Sequence, residues 1–405
     1  MRISYMGQGT LTCLERLARY RGCGRMEEAE SFVEHDNRLA SVDVLRGVAL
    51  IFMVINHFGQ TFVGGGFHSL VAMLILFFGI IPAPLFYVVA GISIVLVNNR
   101  FQQKGTPPSS IWGWVLTRGI LIMGLGYLFS VVMFGTIWIL DWSILQLIGL
   151  SLIVAQLTLF MPKRYRFVLP ILIIVLAPFL RVWLNYEAIV GTVGNIQYAP
   201  PQTWVDHLSA IIATGKAPLF PWLACPIIGT FIGEAFIQKP SNPRRLVYDL
   251  LVVGGLMCSL VLPFFLLGDP VTQYPLTNGF FLLSTGMALL TVASVVTTVD
   301  VWQWWNPTSW FFEINGQIAL ISYVAHHLYG IVFFGVILGF YRTIGIGGWL
   351  LITLSYFCLS VLFAYFWLPF KKRRSSYWDI VLTYLILFFA LGGRWMFALL
   401  GLWGF

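Results

Sequence analysis

A few histidines and one arginine, set in otherwise apolar stretches, are the residues here whose types and spacing suit chemistry. His57 stands beside Asn56, eleven residues beyond Arg46, which on a helix is about 16 Å along the axis. Imidazole titrates near neutral pH, so a histidine inside an apolar helix suits general acid/base work; a hydrogen-bonded packing residue is the plainer reading. Asp43 and Arg46 are three residues apart and share a helix face. They form either a local ion pair at a membrane edge or a cation presented to an anionic ligand. His68 follows Gly64-Gly65-Gly66, and His326 and His327 are consecutive. About 100° separates neighbouring residues on a helix, so the last two are not expected to face the bundle centre together. His326 is expected at the depth of His57. Asn56, Gln146 and Gln317 are candidate donors to a developing oxyanion, and Arg118 is a further cation near a helix end.

The elements that must position these residues are read from composition. Of 405 residues 59% are apolar and 10% charged, and mean hydropathy is +0.85. Soluble domains carry about 25% charged residues, so an ordinary cytosolic enzyme, a disordered chain and a disulfide scaffold are excluded. Apolar runs of about 20 residues match a hydrocarbon core of roughly 30 Å. The chain therefore reads as an all-α polytopic membrane protein with about eleven transmembrane helices: 44–62, 70–98, 112–135, 143–161, 167–184, 218–237, 246–267, 279–299, 316–340, 348–370 and 377–398.

The net charge of +8 gives orientation rather than a nucleic-acid partner. Basic residues gather in the segment through Arg46, at Arg100, Lys104 and Arg118, at Lys163 to Arg166, at Lys239 to Arg245, and at Lys371 to Arg374. These clusters fall on every second connection, the positive-inside pattern, so the N-terminus is expected in the cytoplasm and the C-terminus outside. Only Arg181, Lys216, Arg342 and Arg394 lie elsewhere, as outer-side cations. The five cysteines have no CxxC spacing, and no metal site or cofactor metal is expected. Residues 1–40 read as a cytoplasmic N-terminal extension, with an amphipathic helix conceivable over Leu11 to Tyr20, and 41–405 as one membrane domain.

Several irregularities stand out. Pro82 and Pro84 should break backbone hydrogen bonding in the second helix, which a membrane tolerates only where protein re-satisfies the carbonyls. The longest connection, Asn185 to Pro218, is a candidate lid over an outward-facing site. Trp302, Trp304, Trp305 and Trp310 read as an interfacial belt. No internal repeat is visible, which argues against inverted-repeat transporters.

The stretch Arg38-Leu39-Ala40-Ser41-Val42-Asp43-Val44-Leu45-Arg46-Gly47 resembles the opening signature of the transmembrane acyltransferase superfamily. More narrowly, it resembles the branch containing heparan-α-glucosaminide N-acetyltransferase and its prokaryotic relatives. Pro84 through Gly91 is similar to that branch's second-helix motif, Leu145 through Gly149 to its fourth, and Phe220-Pro221-Trp222 with Gly229 and Gly233 to its sixth. Gly316-Gln317 through Tyr323 and His326 resembles its late polar, tyrosine, histidine helix. The resemblance covers roughly residues 38 to 330.

What the resemblance implies is ten or eleven helices, a cytosolic acyl-CoA donor (usually acetyl-CoA), and transfer to an amine or hydroxyl, typically on a sugar, across the membrane. It carries the branch's catalytic histidine onto His68, whereas the broader superfamily places it near the end of the first helix, at His57. Depth favours His57 as the base, with His68 as the alternative. Arg46, Arg118 and nearby basic residues would meet the phosphates of CoA, with Asp43, Gln146 and Gln317 beside them, and His326 would join the catalytic group. The expected partners are the lipid bilayer, acyl-CoA and a glycan or amino-sugar acceptor, with a homodimer left open, in the cytoplasmic membrane of a prokaryote. A proton-coupled secondary transporter using the same histidines, and a membrane binding protein without turnover, are the rival readings.

Overall fold

A computed structural model describes residues 40–64, 70–184, 189–190, 197–198, 201–238, 243–268, 271–273, 276–304, 306–372 and 377–399. The N-terminal extension, with the helix conceivable at Leu11–Tyr20, lies outside these residues, as do His68, Gly65, Gly66, Trp305 and most of the 185–200 connection. The helices are α1 Ala40–Phe62, α2 Leu70–Ile80, α3 Pro82–Gln103, α4 Pro108–Phe134, α5 Ile144–Thr158, α6 Lys163–Trp183, α7 Trp204–Ser209, α8 Leu219–Trp222, α9 Ala224–Gln238, α10 Pro243–Ser259, α11 Leu262–Leu266, α12 Asn278–Val296, α13 Pro307–Gln317, α14 Ala319–His326, α15 Ile346–Lys372 and α16 Trp378–Leu399. Wider π-type turns continue three of them, over Ala210–Thr214, Thr297–Val301 and His327–Ile337. One antiparallel ladder, Ile189–Val190 with Gln197–Tyr198, and an isolated parallel bridge between Val63 and Ile344 are the exceptions to an all-α architecture among the described residues.

Each expected apolar run falls on helix. Nine helical stretches of the described residues are long and apolar enough to cross a membrane, and Ile144–Thr158 and Trp378–Gly393 are shorter apolar helices. Helix starts follow local chemistry. Pro82 and Pro108 sit in first turns, where a missing N–H leaves no bond unmade. Asn306 accepts from the Ser309 N–H at 3.0 Å ahead of Pro307.

The expected helix over 70–98 bends at Ile81, between α2 and α3, where Pro82 and Pro84 withdraw two donors. The expected helix over 316–340 is two elements: the chain breaks at Ile318 between α13 and α14, then widens from His327 onward. The 185–218 connection, expected as a loop, holds helical turns from Trp204 to Thr214, begun by a Thr203 side chain that accepts from the Asp206 N–H at 3.1 Å.

Burial separates core from rim. The α1 span is 78% buried, whereas the Pro243–Leu266 span is 11% buried and shows its apolar side chains to the surroundings, as lipid-facing helices do. Between helices in lipid there is little hydrophobic driving force, so close van der Waals approach must hold them together. Glycines provide it. A Cβ on Gly47 would strike the carbonyl of Phe312, and one on Gly316 that of Asp43, so α1 and α13 touch backbone to backbone. Gly91 of α3 and Gly229 of α9 form the same reciprocal contact, against the carbonyls of Pro226 and Val88.

Candidate active site

α1 carries the site's two ends. Eleven residues is close to three full turns, so Arg46, Leu50, Met53 and His57 share one face. At the Arg46 end, the guanidinium donates to Asp43 Oδ1 at 2.5 Å and to Ser93 Oγ of α3 at 2.6 Å, while its side chain stays 33% exposed. The same cation is thus ion-paired and still open to a ligand. Gln317 lies at this end too, because Gly316 packs on Asp43 and Gly47. Its side-chain amide donates to Glu313 at 3.2 Å, and its main-chain carbonyl accepts from Lys371 at 2.7 Å.

At the other end, Nδ1 of His57 lies 3.0 Å from Nε2 of His326. His326 Nδ1 is 3.0 Å from the Ser322 carbonyl and His327 Nδ1 is 2.9 Å from the Tyr323 carbonyl. A carbonyl only accepts, so both Nδ1 atoms carry hydrogen and both Nε2 atoms hold a lone pair. His57 must then donate from Nδ1 to His326, which leaves the lone pair of His57 on Nε2. Among the described residues no hydrogen bond engages that nitrogen. The result is a directional chain, from His57 through His326 to a main-chain acceptor that Tyr356 also approaches, at 2.9 Å. His326 and His327 are buried and His57 partly so.

His326 and His327 both join this cluster, against the expectation that neighbours 100° apart would diverge. Their ring centres are 3.9 Å apart, and His327 stands edge-on to His57 at 5.0 Å. The α-helix ends at His326 and the wider turn begins at His327, which changes the angular step at that point. Phe129 of α4 closes the cluster against His327, centres 4.9 Å apart.

The remaining candidates are not gathered here. Asn56 is buried beside His57, but its amide nitrogen donates to the Ile75 carbonyl at 2.7 Å and its oxygen accepts from Gln60 at 2.8 Å, which ties α1 to α2. Gln146 packs against Gly126 of α4. Its oxygen accepts from the Ser143 backbone at 3.3 Å and hydroxyl at 2.9 Å, and its nitrogen donates to the Asp141 carbonyl at 3.0 Å. It caps α5, and Ser143 followed three residues later by glutamine is the sequence signal for that role. Arg118 lies over the Trp114 ring at 5.5 Å. His68 lies outside the described residues. Leu50 and Met53, on the face of α1 between Arg46 and His57, are buried in the apolar core, so among the described residues that face is packed rather than open.

Sequence reasoning missed a second polar group. Lys216, expected as an outer cation without a role, donates to Asp141 at 2.8 Å under the rings of Phe134 and Trp138. Nearby, Tyr127 and His207 meet at 3.2 Å and His207 donates to the Leu140 carbonyl at 2.6 Å. Nothing in the spacing of these residues links them, because α4, the connection after it and the 185–218 connection supply them.

Over residues 38–270, more than half its length, the sequence matches the family described as heparan-alpha-glucosaminide N-acetyltransferase, catalytic. The chain belongs to this family. Residues 234–373 also match a family described as a protein of unknown function, DUF418. Curated proteins yield no match. The acetyltransferase-matched region contains Arg46, Asn56, His57, Arg118 and Gln146, whereas Gln317, His326 and His327 fall in the stretch that matches DUF418. The His57–His326 bond therefore joins the two matched regions.

Proposed function

We propose that this membrane protein transfers an acyl group, acetyl by its family, from acyl-CoA supplied at the Arg46 end to an amine or hydroxyl held at the histidine end. The acceptor we infer is a sugar, an amino sugar foremost. The observation that carries the reading is the polarised His57–His326 pair, which leaves His57 Nε2 as a proton acceptor. In the reaction, the acceptor nitrogen or oxygen attacks the thioester carbonyl as its proton passes to His57 Nε2. The imidazolium that forms is stabilised by its Nδ1–H bond to the His326 lone pair. The tetrahedral intermediate collapses, the carbon–sulfur bond breaks, and the CoA thiolate takes the proton back from His57. Acceptor and acyl-CoA become acylated acceptor and free CoA.

Arg46 supports the donor end, since a guanidinium matches phosphate oxygens in charge and geometry. A donor with phosphates at Arg46 must extend its acyl arm about 16 Å along α1 to reach His57. Leu50 and Met53 fill that line, so donor entry requires these side chains to move apart or the arm to run along a neighbouring helix. The basic end faces the cytoplasm in this reading.

The test is reconstitution in proteoliposomes with labelled acetyl-CoA supplied to one face and a panel of amino sugars to the other. Labelled acceptor, lost on His57→Ala, is the expected result. Proton-driven solute uptake without any dependence on CoA overturns the reading in favour of a transporter.

A further inference from the structure

We infer that His57, His326 and His327 form a binding site for one divalent cation of the zinc class. One nitrogen from each of the three rings lies within 4.8 Å of the corresponding nitrogen of the others. Zinc binds imidazole nitrogen at about 2.0–2.1 Å, so two ligands on a tetrahedral ion stand about 3.3 Å apart. The His57 Nδ1 to His326 Nε2 separation of 3.0 Å is close to that, and the small expansion needed is within the play of two side chains.

The outer hydrogen bonds are those a metal site requires. Ligating histidines commonly donate the distal ring N–H to a main-chain carbonyl, which fixes the tautomer and raises the basicity of the free nitrogen. His326 does so to Ser322 and His327 to Tyr323, each four residues back on its own helix. Both rings therefore present Nε2 lone pairs without any rearrangement, and Tyr356 holds the Ser322 carbonyl in place from α15. Neutral imidazole favours zinc, copper, nickel and cobalt over magnesium and calcium, which prefer oxygen. On binding, the cation takes the place of the hydrogen between His57 and His326, and His57 carries its ring hydrogen on Nε2 instead. No electron is transferred and no bond to carbon changes.

The site stands apart from the acyl-transfer reading: a protein inactive toward every acyl-CoA would still bind the ion, and an active one would still turn over if the ion never bound. The experiment uses the full-length chain in detergent, purified without a polyhistidine tag, stripped with a chelator and titrated with Co²⁺. Visible d–d absorption saturating at one ion per chain is expected. His326→Gln and His327→Gln should each weaken it by about 10–100-fold or more, and His57→Gln likewise. His207→Gln, which lies in the other polar cluster, should leave it unchanged. Melting each metal-free variant shows which of them fold, and Zn²⁺ should raise the melting temperature of the parent and not of the three cluster variants that do. No saturable Co²⁺ spectrum in the parent, or binding that survives in both His326→Gln and His327→Gln, overturns the site.

Discussion

His57 and His326, 269 residues apart in the chain, meet at 3.0 Å through Nδ1 of the first and Nε2 of the second. The Ser322 carbonyl behind His326 gives that contact a direction, because it forces hydrogen onto His326 Nδ1. His57 is thereby the partner with a lone pair to offer. Replacing His57 with alanine should lower transfer by about 10²–10⁴-fold, as loss of a general base does, with the protein still folded. Near-normal turnover in that variant would move the base to His68.

His326 acts on the reaction through His57. His326→Leu keeps a side chain of comparable bulk but offers no lone pair to the His57 Nδ1–H, so it loses the acceptor that steadies the protonated base. A hydrogen bond to a charged group contributes about 1.5–3 kcal/mol, so kcat should fall by about 10–100-fold with KM for the acceptor little changed. Steady-state kinetics separate the two constants. A change confined to KM would assign His326 to acceptor binding instead.

Arg46 is held by Asp43 and Ser93 yet keeps an exposed edge. Arg46→Ala should raise KM for acyl-CoA by about tenfold or more while kcat changes less, the loss expected of a charged hydrogen bond to phosphate. It also leaves the buried Asp43 carboxylate without its cation, so a lower melting temperature is expected. Arg46→Lys separates the effects, since it keeps the ion pair and loses the planar fork. The check is CoA protection in a melting assay: the alanine variant should lose most of the upward shift, and an unchanged shift would place the donor elsewhere.

How far the sequence discloses this molecule depends on whether the signal is local. Apolar runs are local, and all eleven fall on helix; so is the bend before Pro82. Gln146 has a local signal too, since Ser143 three residues ahead marks a helix start, although the sequence reading makes it a candidate oxyanion donor beside the CoA-binding residues. The break at Ile318 has no such marker, because no proline occurs from Thr308 to Ile337. Neither does the wider turn after His326, and an ideal 100° step applied there sends His327 away from its neighbour. The polar pairs Asp141–Lys216 and Tyr127–His207 are tertiary contacts that no spacing encodes.

Gly47 and Gly316 test whether the resemblance-bearing motifs act through packing. Each faces a main-chain carbonyl of the opposing helix, which cannot rotate away as a side chain can. Gly47→Ala should therefore destabilise by about 1–3 kcal/mol or more, the range for overpacking, and Gly47→Val by more still. Because the contact anchors α1 beside Arg46, donor affinity should fall with stability. Thermal melting in detergent measures the first, and a Gly47→Ala protein as stable as the parent would show that α1 and α13 are not closely packed in the folded protein.

The histidine cluster makes the reaction sensitive to cations if both proposals hold. An ion bound by His57, His326 and His327 leaves His57 with hydrogen on Nε2, where the acceptor proton must arrive. Micromolar Zn²⁺ should then suppress labelled-acetyl transfer, and a chelator should restore it. Mg²⁺ and Ca²⁺ at the same concentration should have no effect, because a site of imidazole nitrogens does not suit them. The His327→Gln variant separates the two roles of the cluster. It removes a cation ligand but leaves the His57–His326 bond, so transfer should persist and lose most of its sensitivity to Zn²⁺. Initial rates against free Zn²⁺ measure this, and equal inhibition of parent and variant would locate the inhibiting ion outside the cluster.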